Sequence, residues 1–202
     1  MLPLSNEEKI ARNLSSAIKI QDYLDTIPFN HEEEGETCCS AYGVIKRKKA
    51  HCLEGALLAC YAFSLQGKPP ILLSLKVTDN DYDHVIALYK ENGYWGAVSK
   101  TNHSVLGFRD PVYKTIRELV MTYFHEYFLV RNGKKTLRGY SRIINLNRFG
   151  KKWITSEENL FDIAEIIYDS PHRPIIPKGN EKFIRDATRL ERTTASISHD
   201  GK

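Results

Sequence analysis

Apolar and polar positions alternate along the chain in three rhythms, and each predicts an element. From Glu7 to Ile27, Ile10, Leu14, Ala17, Ile18 and Leu24 recur at helical spacing, with Asn6 placed to cap the start and Pro28 to stop the end. Residues 31–40 are polar and read as a loop. From Ala50 to Gln66 the chain is apolar nearly all the way round, so this helix is expected to be buried on every side, with Gly67 and Pro69-Pro70 ending it. Three strands follow, Ile71 to Val77, His84 to Lys90 and Tyr94 to Ser99. Asn92-Gly93 between the last two predicts a two-residue hairpin turn with positive φ at both positions. That turn sets Lys90 opposite Trp95, Leu88 opposite Ala97, Ile86 opposite Ser99 and His84 opposite Thr101, so His84 and Ser99 are expected on one sheet face.

Beyond the hairpin, Asp110 as cap and Pro111 at the first helical position predict a second long helix, with a stripe of Val112, Ile116, Leu119, Val120, Tyr123 and Tyr127. The basic, turn-rich stretch 131–150 leaves room for a short strand near Ile143-Ile144. Ser156 to Tyr168 reads as a helix, a short one is expected within 181–192, and the Ser/Thr-rich tail 193–202 is expected to be disordered. The pattern predicts an α+β fold: a buried central helix on a small antiparallel sheet, with further helices toward the C-terminus. It is read as a single domain over residues 1–195, with the motif-bearing core at about 35–105 and a helical extension at 110–192.

Composition changes this picture little. A hydrophobic fraction of 42% and a charged fraction of 27% fit a soluble globular chain. No stretch approaches the ~20 apolar residues of a membrane span, and residues 1–8 carry no secretory pattern, so a cytoplasmic address is expected. Four cysteines, at 38, 39, 52 and 60, are then expected to stay reduced. Their spacing argues against structural zinc, and no cofactor is implied. Residues 109–152 hold eleven Lys/Arg against three Asp/Glu, a local +8 within a chain of net +4. A solvated basic surface explains this more simply than nucleic-acid binding, for which the aromatics of the segment, on a helix's core stripe, are poor stacking platforms. The run Lys46-Arg47-Lys48-Lys49 reads the same way.

The candidate chemistry lies in Ala50-His51-Cys52-Leu53-Glu54-Gly55-Ala56. Cys52 falls on the first turn of the central helix, where unpaired N–H groups favour thiolate over thiol. His84 opens a strand and could complete a nucleophile–base pair. His51 points about 100° away from Cys52 on a helical wheel and is not expected to be the base. Other motifs fail. Asp79-x-Asp81-x-Asp83 lacks the later glycine and glutamate of a calcium loop, and His125-Glu126 lacks the second histidine of a zinc-protease helix.

Taken together, these residues resemble the transglutaminase-like superfamily, a branch of the papain-like cysteine enzymes. The match rests on Cys52, then Gly67-Lys68-Pro69, then His84 opening Val85-Ile86-Ala87-Leu88-Tyr89, then Trp95-Gly96-Ala97-Val98-Ser99. It spans residues 50–100, half the chain or less. The resemblance implies a nucleophilic Cys52, a catalytic His84, and a third residue at position 99 that orients the imidazole. The family has Asp there and this chain has Ser99, which can hydrogen-bond the ring but supplies no charge. Asp79, Asp81 or Asp83 could supply that charge instead. The expected activity is cysteine-dependent acyl transfer on an amide or peptide-like substrate, as a hydrolase or an acyltransferase. The lost aspartate keeps a second reading open: an inactive fold of this type that binds a protein or, weakly, nucleic acid. A purely structural interaction domain is the third.

Overall fold

The computed structural model describes residues 4–103 and 105–196. Strands β1 (Ile71–Val77) and β2 (His84–Glu91) are buried along almost their whole length. Continuous apolar runs of this kind need cover on both faces, and they receive it. They sit at the centre of a seven-stranded antiparallel sheet with β3 (Tyr94–Val98), β4 (Arg109–Tyr113), β5 (Leu137–Ser141), β6 (Ile144–Asn145) and β7 (His172–Pro174). The order is β4-β3-β2-β1-β5-β7, with β6 pairing β1 beyond the end of β5.

One face of the sheet carries Leu72, Val85, Ala87, Tyr89 and Val98, packed against helix α4 (Cys52–Leu65). Helices α1 (Asn6–Asn13), α2 (Ala17–Thr26), α3 (Ala41–Arg47), α6 (Lys152–Thr155) and α7 (Phe161–Tyr168) enclose α4, which accounts for its apolar character on every side. The other face, with Leu73, Leu75, Ile86, Leu88 and Ala97, is covered by α5 (Ile116–Phe124) through Leu119, Val120 and Tyr123. The C-terminal segment ends in α8 (Arg189–Ala195). No helix among the described residues is long and apolar enough to cross a membrane.

The hairpin register is the one the turn predicts, with Lys90 opposite Trp95 and Leu88 opposite Ala97, and Asn92 and Gly93 at φ 50° and 87°. The ladder stops at Val98, one residue before the expected end of the strand and before the expected pairs Ile86–Ser99 and His84–Thr101, because a side chain takes over. The Gln21 amide accepts from Ser99 N–H at 3.0 Å and donates to Ser99 C=O at 2.9 Å.

Several expectations are corrected. The first helix breaks at Leu14-Ser15-Ser16, where Ser16 caps α2. Residues 110–113 form edge strand β4 rather than a helix start, with Val112 exposed; α5 begins later, from a Thr115–Glu118 capping box. Pro111 is tolerated because an edge strand does not need every N–H. The predicted 156–168 helix is shorter, α7 starting only at Phe161, and Ser156 ends a separate short helix, α6, instead of capping it. The charge run at 46–49 closes an unanticipated helix, α3, whose cap Lys48 is left-handed at φ 54°. The expected 181–192 helix is a 3₁₀ turn over Glu181–Phe183 followed by α8. The predicted tail beyond residue 196 lies outside the described residues.

Candidate active site

Cys52 opens α4 where the helix start meets the beginning of β2 and the chain leaving β3. Gly55, one turn into α4, permits this approach. A Cβ there would lie 2.4 Å from Lys100 Cβ, and only the missing side chain lets the helix reach the segment carrying Ser99 and Lys100 beyond β3. Lys100, itself buried, donates to the carbonyls of Leu24 and Ile27 at 2.9 and 2.6 Å, which fixes that strand's extension against the end of α2.

All three residues singled out by sequence are brought together. The His84 ring lies close enough to the Cys52 thiol for its charge to lower the thiol's pKa. Its Nε2 is 2.6 Å from Ser99 Oγ, both residues being buried. The Gln21 clamp on the Ser99 backbone sets the hydroxyl's position. Tyr127 packs edge-on to the imidazole with ring centroids 6.5 Å apart, and its hydroxyl donates to Tyr82 C=O. The carboxylates just before His84 are engaged elsewhere. Asp83 accepts from Val77 N–H and pairs with Lys76; Asp81 accepts from Thr136 Oγ1 and Tyr82 N–H.

The thiol also has a second imidazole. His51 is the N-cap of α4, with extended backbone at φ −89° and ψ −175°, so the helical-wheel argument that set it aside does not apply. Its ring turns back over the helix start, where Nδ1 accepts from Leu53 N–H, and its charge acts on the neighbouring Cys52. Burial would raise the Cys52 pKa, but the bonds and charges of His51 and His84 outweigh it and draw the thiol down to about 5. His51 is depressed by burial, yet Cys52, Glu54 and the Thr37 carbonyl raise it to about 9. A third group, Tyr168 at the end of α7, brings its hydroxyl to the thiol; burial first, then the thiolate's charge, raise its pKa.

The other three thiols are inert by comparison. Burial and Glu54 push Cys38 and Cys39 up to about 12, and burial alone raises Cys60, whose Sγ donates to Ile71 C=O at 3.3 Å. Cys52 is the one of the four cysteines that is not buried in the core. Among the described residues no group of three or more His, Cys, Asp or Glu side chains is arranged to hold a metal ion.

Sequence reasoning missed the roles of His51, Glu54 and Tyr168. A signal existed for the first two, since His51-x-x-Glu54 has the spacing of a capping box and Glu54 is the lone charge in an apolar helix. Tyr168 reaches the site from more than a hundred residues away and carried none. No family model matches the chain, and no curated protein is significantly similar to it.

Proposed function

We propose that the protein is a cysteine-dependent acyl-transfer enzyme of the transglutaminase-like type, acting on an amide or peptide-like bond by hydrolysis or by transfer to an amine. The observation that carries this reading is a cysteine not buried in the core, at a helix start, whose thiol pKa is drawn down by an imidazole anchored at 2.6 Å to Ser99. In acylation the Cys52 thiolate attacks the carbonyl carbon and forms a C–S bond, moving the π pair onto oxygen. That pair returns as the C–N bond breaks, and the His84 imidazolium gives its proton to the leaving nitrogen. Water or an amine then attacks the thioester, His84 takes its proton, and the C–S bond breaks to return the thiolate. The helix cap uses the N–H groups of Leu53 and Glu54 but not that of Cys52, which is the donor placed for the oxyanion.

The competing reading, an inactive binding module, draws on Ser99 standing where the resembled family has Asp. Its basic surface is weakened by the fold. Arg109 is spent on Glu126, Thr122 and backbone carbonyls, Lys135 is buried against Arg185 C=O, and Arg138 donates to the carbonyls of Lys135 and Leu137. The test is hydrolysis of p-nitrophenyl acetate. Stoichiometric burst release of nitrophenol, lost in Cys52→Ala and slowed in His84→Asn, is expected. Equal release by wild type and Cys52→Ala would refute the enzymatic reading.

A further inference from the structure

Each turnover of the proposed reaction obliges His84 to give up a proton and take one back, so it cannot be the thiolate's constant counter-ion. The structure holds a second ring that need not change. His51 Nε2 lies 3.0 Å from the Thr37 carbonyl, 3.6 Å from Glu54 Oε1 and 4.0 Å from Glu32 Oε1. A carbonyl only accepts, so Nε2 carries a proton in every state of the ring.

Glu54 is fully buried. Its carboxylate accepts from Thr37 Oγ1 and Cys39 N–H at 2.9 Å, His51 N–H at 3.0 Å and Asn30 Nδ2 at 3.2 Å. Four donors stabilise the ionised form, and a buried carboxylate also calls for a cation. The cation-forming side chain that the structure pairs with it is His51.

Resting on the acyl-transfer reading, we infer that His51, paired with the buried Glu54, is a permanent imidazolium that holds Cys52 as thiolate, while His84 with Ser99 moves the proton. The carboxylate absent from position 99 is thus supplied from within the nucleophile's own helix, two residues past Cys52. His51 is a positioning residue that acts through the sulfur. It keeps the sulfur a good leaving group when the thioester breaks, whatever the protonation of His84.

The titratable groups facing His51 are Glu32 on the preceding loop, and Cys52 and Glu54 on α4. Tyr168 from α7 and His84 from β2 lie across the thiol. In the neutral ring, Nδ1 accepts the cap bond from Leu53 N–H, a long one at 3.3 Å. Protonation gives up that weak bond and places a full positive charge on the ring beside the thiolate.

The cap and the charge can be separated, because Asn is a good N-cap and carries no charge. The measurement is the pH profile of Cys52 alkylation by iodoacetamide, read by peptide mass, in the full chain. His51→Asn is expected to move the midpoint up by ~1–3 units, as loss of an adjacent opposite charge does, and Glu54→Gln to move it in the same direction. In His84→Asn the ester turnover falls while the midpoint stays below the ~8.5 of free cysteine. An unmoved midpoint in His51→Asn, with His84→Asn rising to ~8.5, overturns the inference and makes His84 the counter-ion. Should His51→Asn not fold, ring nitrogen shifts of wild type decide: a His51 ring doubly protonated at neutral pH supports the inference and a neutral ring overturns it. Failure of the acyl-transfer reading is a separate event, visible as absence of the ester burst in wild type whatever the alkylation profile.

Discussion

Gly55 faces Lys100 so closely that a single added carbon, the Cβ of alanine, would stand 2.4 Å from the lysine's own Cβ. In an open helix Gly→Ala stabilises by about 1 kcal/mol. At this contact the sign reverses, because Lys100 is buried and tied to two carbonyls and cannot move aside. Gly55→Ala is therefore expected to destabilise the fold by ~1–3 kcal/mol, the usual cost of overpacking, read as a lower urea midpoint. Because the clash pushes α4 away from the segment of Ser99, Cys52 alkylation also slows. A variant as stable as wild type would mean that the helix and this segment are not so tightly apposed.

Ser99→Ala removes one neutral hydrogen bond from the His84 ring. A bond of this kind contributes ~1 kcal/mol, so ester turnover is expected to fall about fivefold. Ser99→Asp places a carboxylate on the same nitrogen and is expected to match or exceed wild type. Unchanged turnover in both variants would reduce Ser99 to a residue that closes a strand.

Alkylation across pH separates the four thiols. Labelling of Cys52 is expected to rise through about pH 5 and then level off, while Cys38 and Cys39, held at about 12, stay silent at neutral pH. The stability linkage has two edges. The Cys52 pKa is depressed, so the thiolate's contribution is full above the free-thiol value and is lost as pH falls through about 5. The His51 pKa is raised, so its contribution is full below ~6.5 and is lost as pH rises through about 9. The ion pair therefore exists between these limits. Labelling of Cys52 no faster than that of buried Cys60 would remove the case for an activated nucleophile.

Arg109, Lys135 and Arg138 are taken up within the fold, and the exposed cations of the basic segment supply non-specific charge rather than a reading surface. Binding in a fluorescence-anisotropy titration is expected to be no tighter than ~10⁻⁴–10⁻⁶ M at physiological salt, and to weaken with added salt. Sub-micromolar, sequence-selective binding would favour the binding-module reading.

What could be read in advance, and what could not, follows from where each signal is local. The bounds of β1 and the starts of β2 and β3 were legible because their apolar runs are closed by Gly, Pro and the Asn92-Gly93 turn. Cys52, His84 and Ser99 were legible because a hairpin register and a helix start place side chains almost by counting. Asp110-Pro111 misled because the same dipeptide suits a helix cap and an edge strand, and only the pairing of β4 with β3 decides between them. The end of β3 depended on Gln21, which arrives from 78 residues away. The direction of the His51 ring was misjudged, though not its exclusion as the base, because a wheel assigns directions inside a helix, whereas an N-cap has extended backbone and turns its ring back over the first turn.

The central claim is that Cys52 is the acyl acceptor and His84 its proton carrier. It is tested most directly by locating the acyl group after brief reaction with p-nitrophenyl acetate, by peptide mass. A single acetyl group on Cys52 is predicted, turning over in wild type and accumulating in His84→Asn because water is no longer deprotonated. Acetyl groups spread over lysines and other cysteines, with Cys52 unmodified in both proteins, would contradict the account.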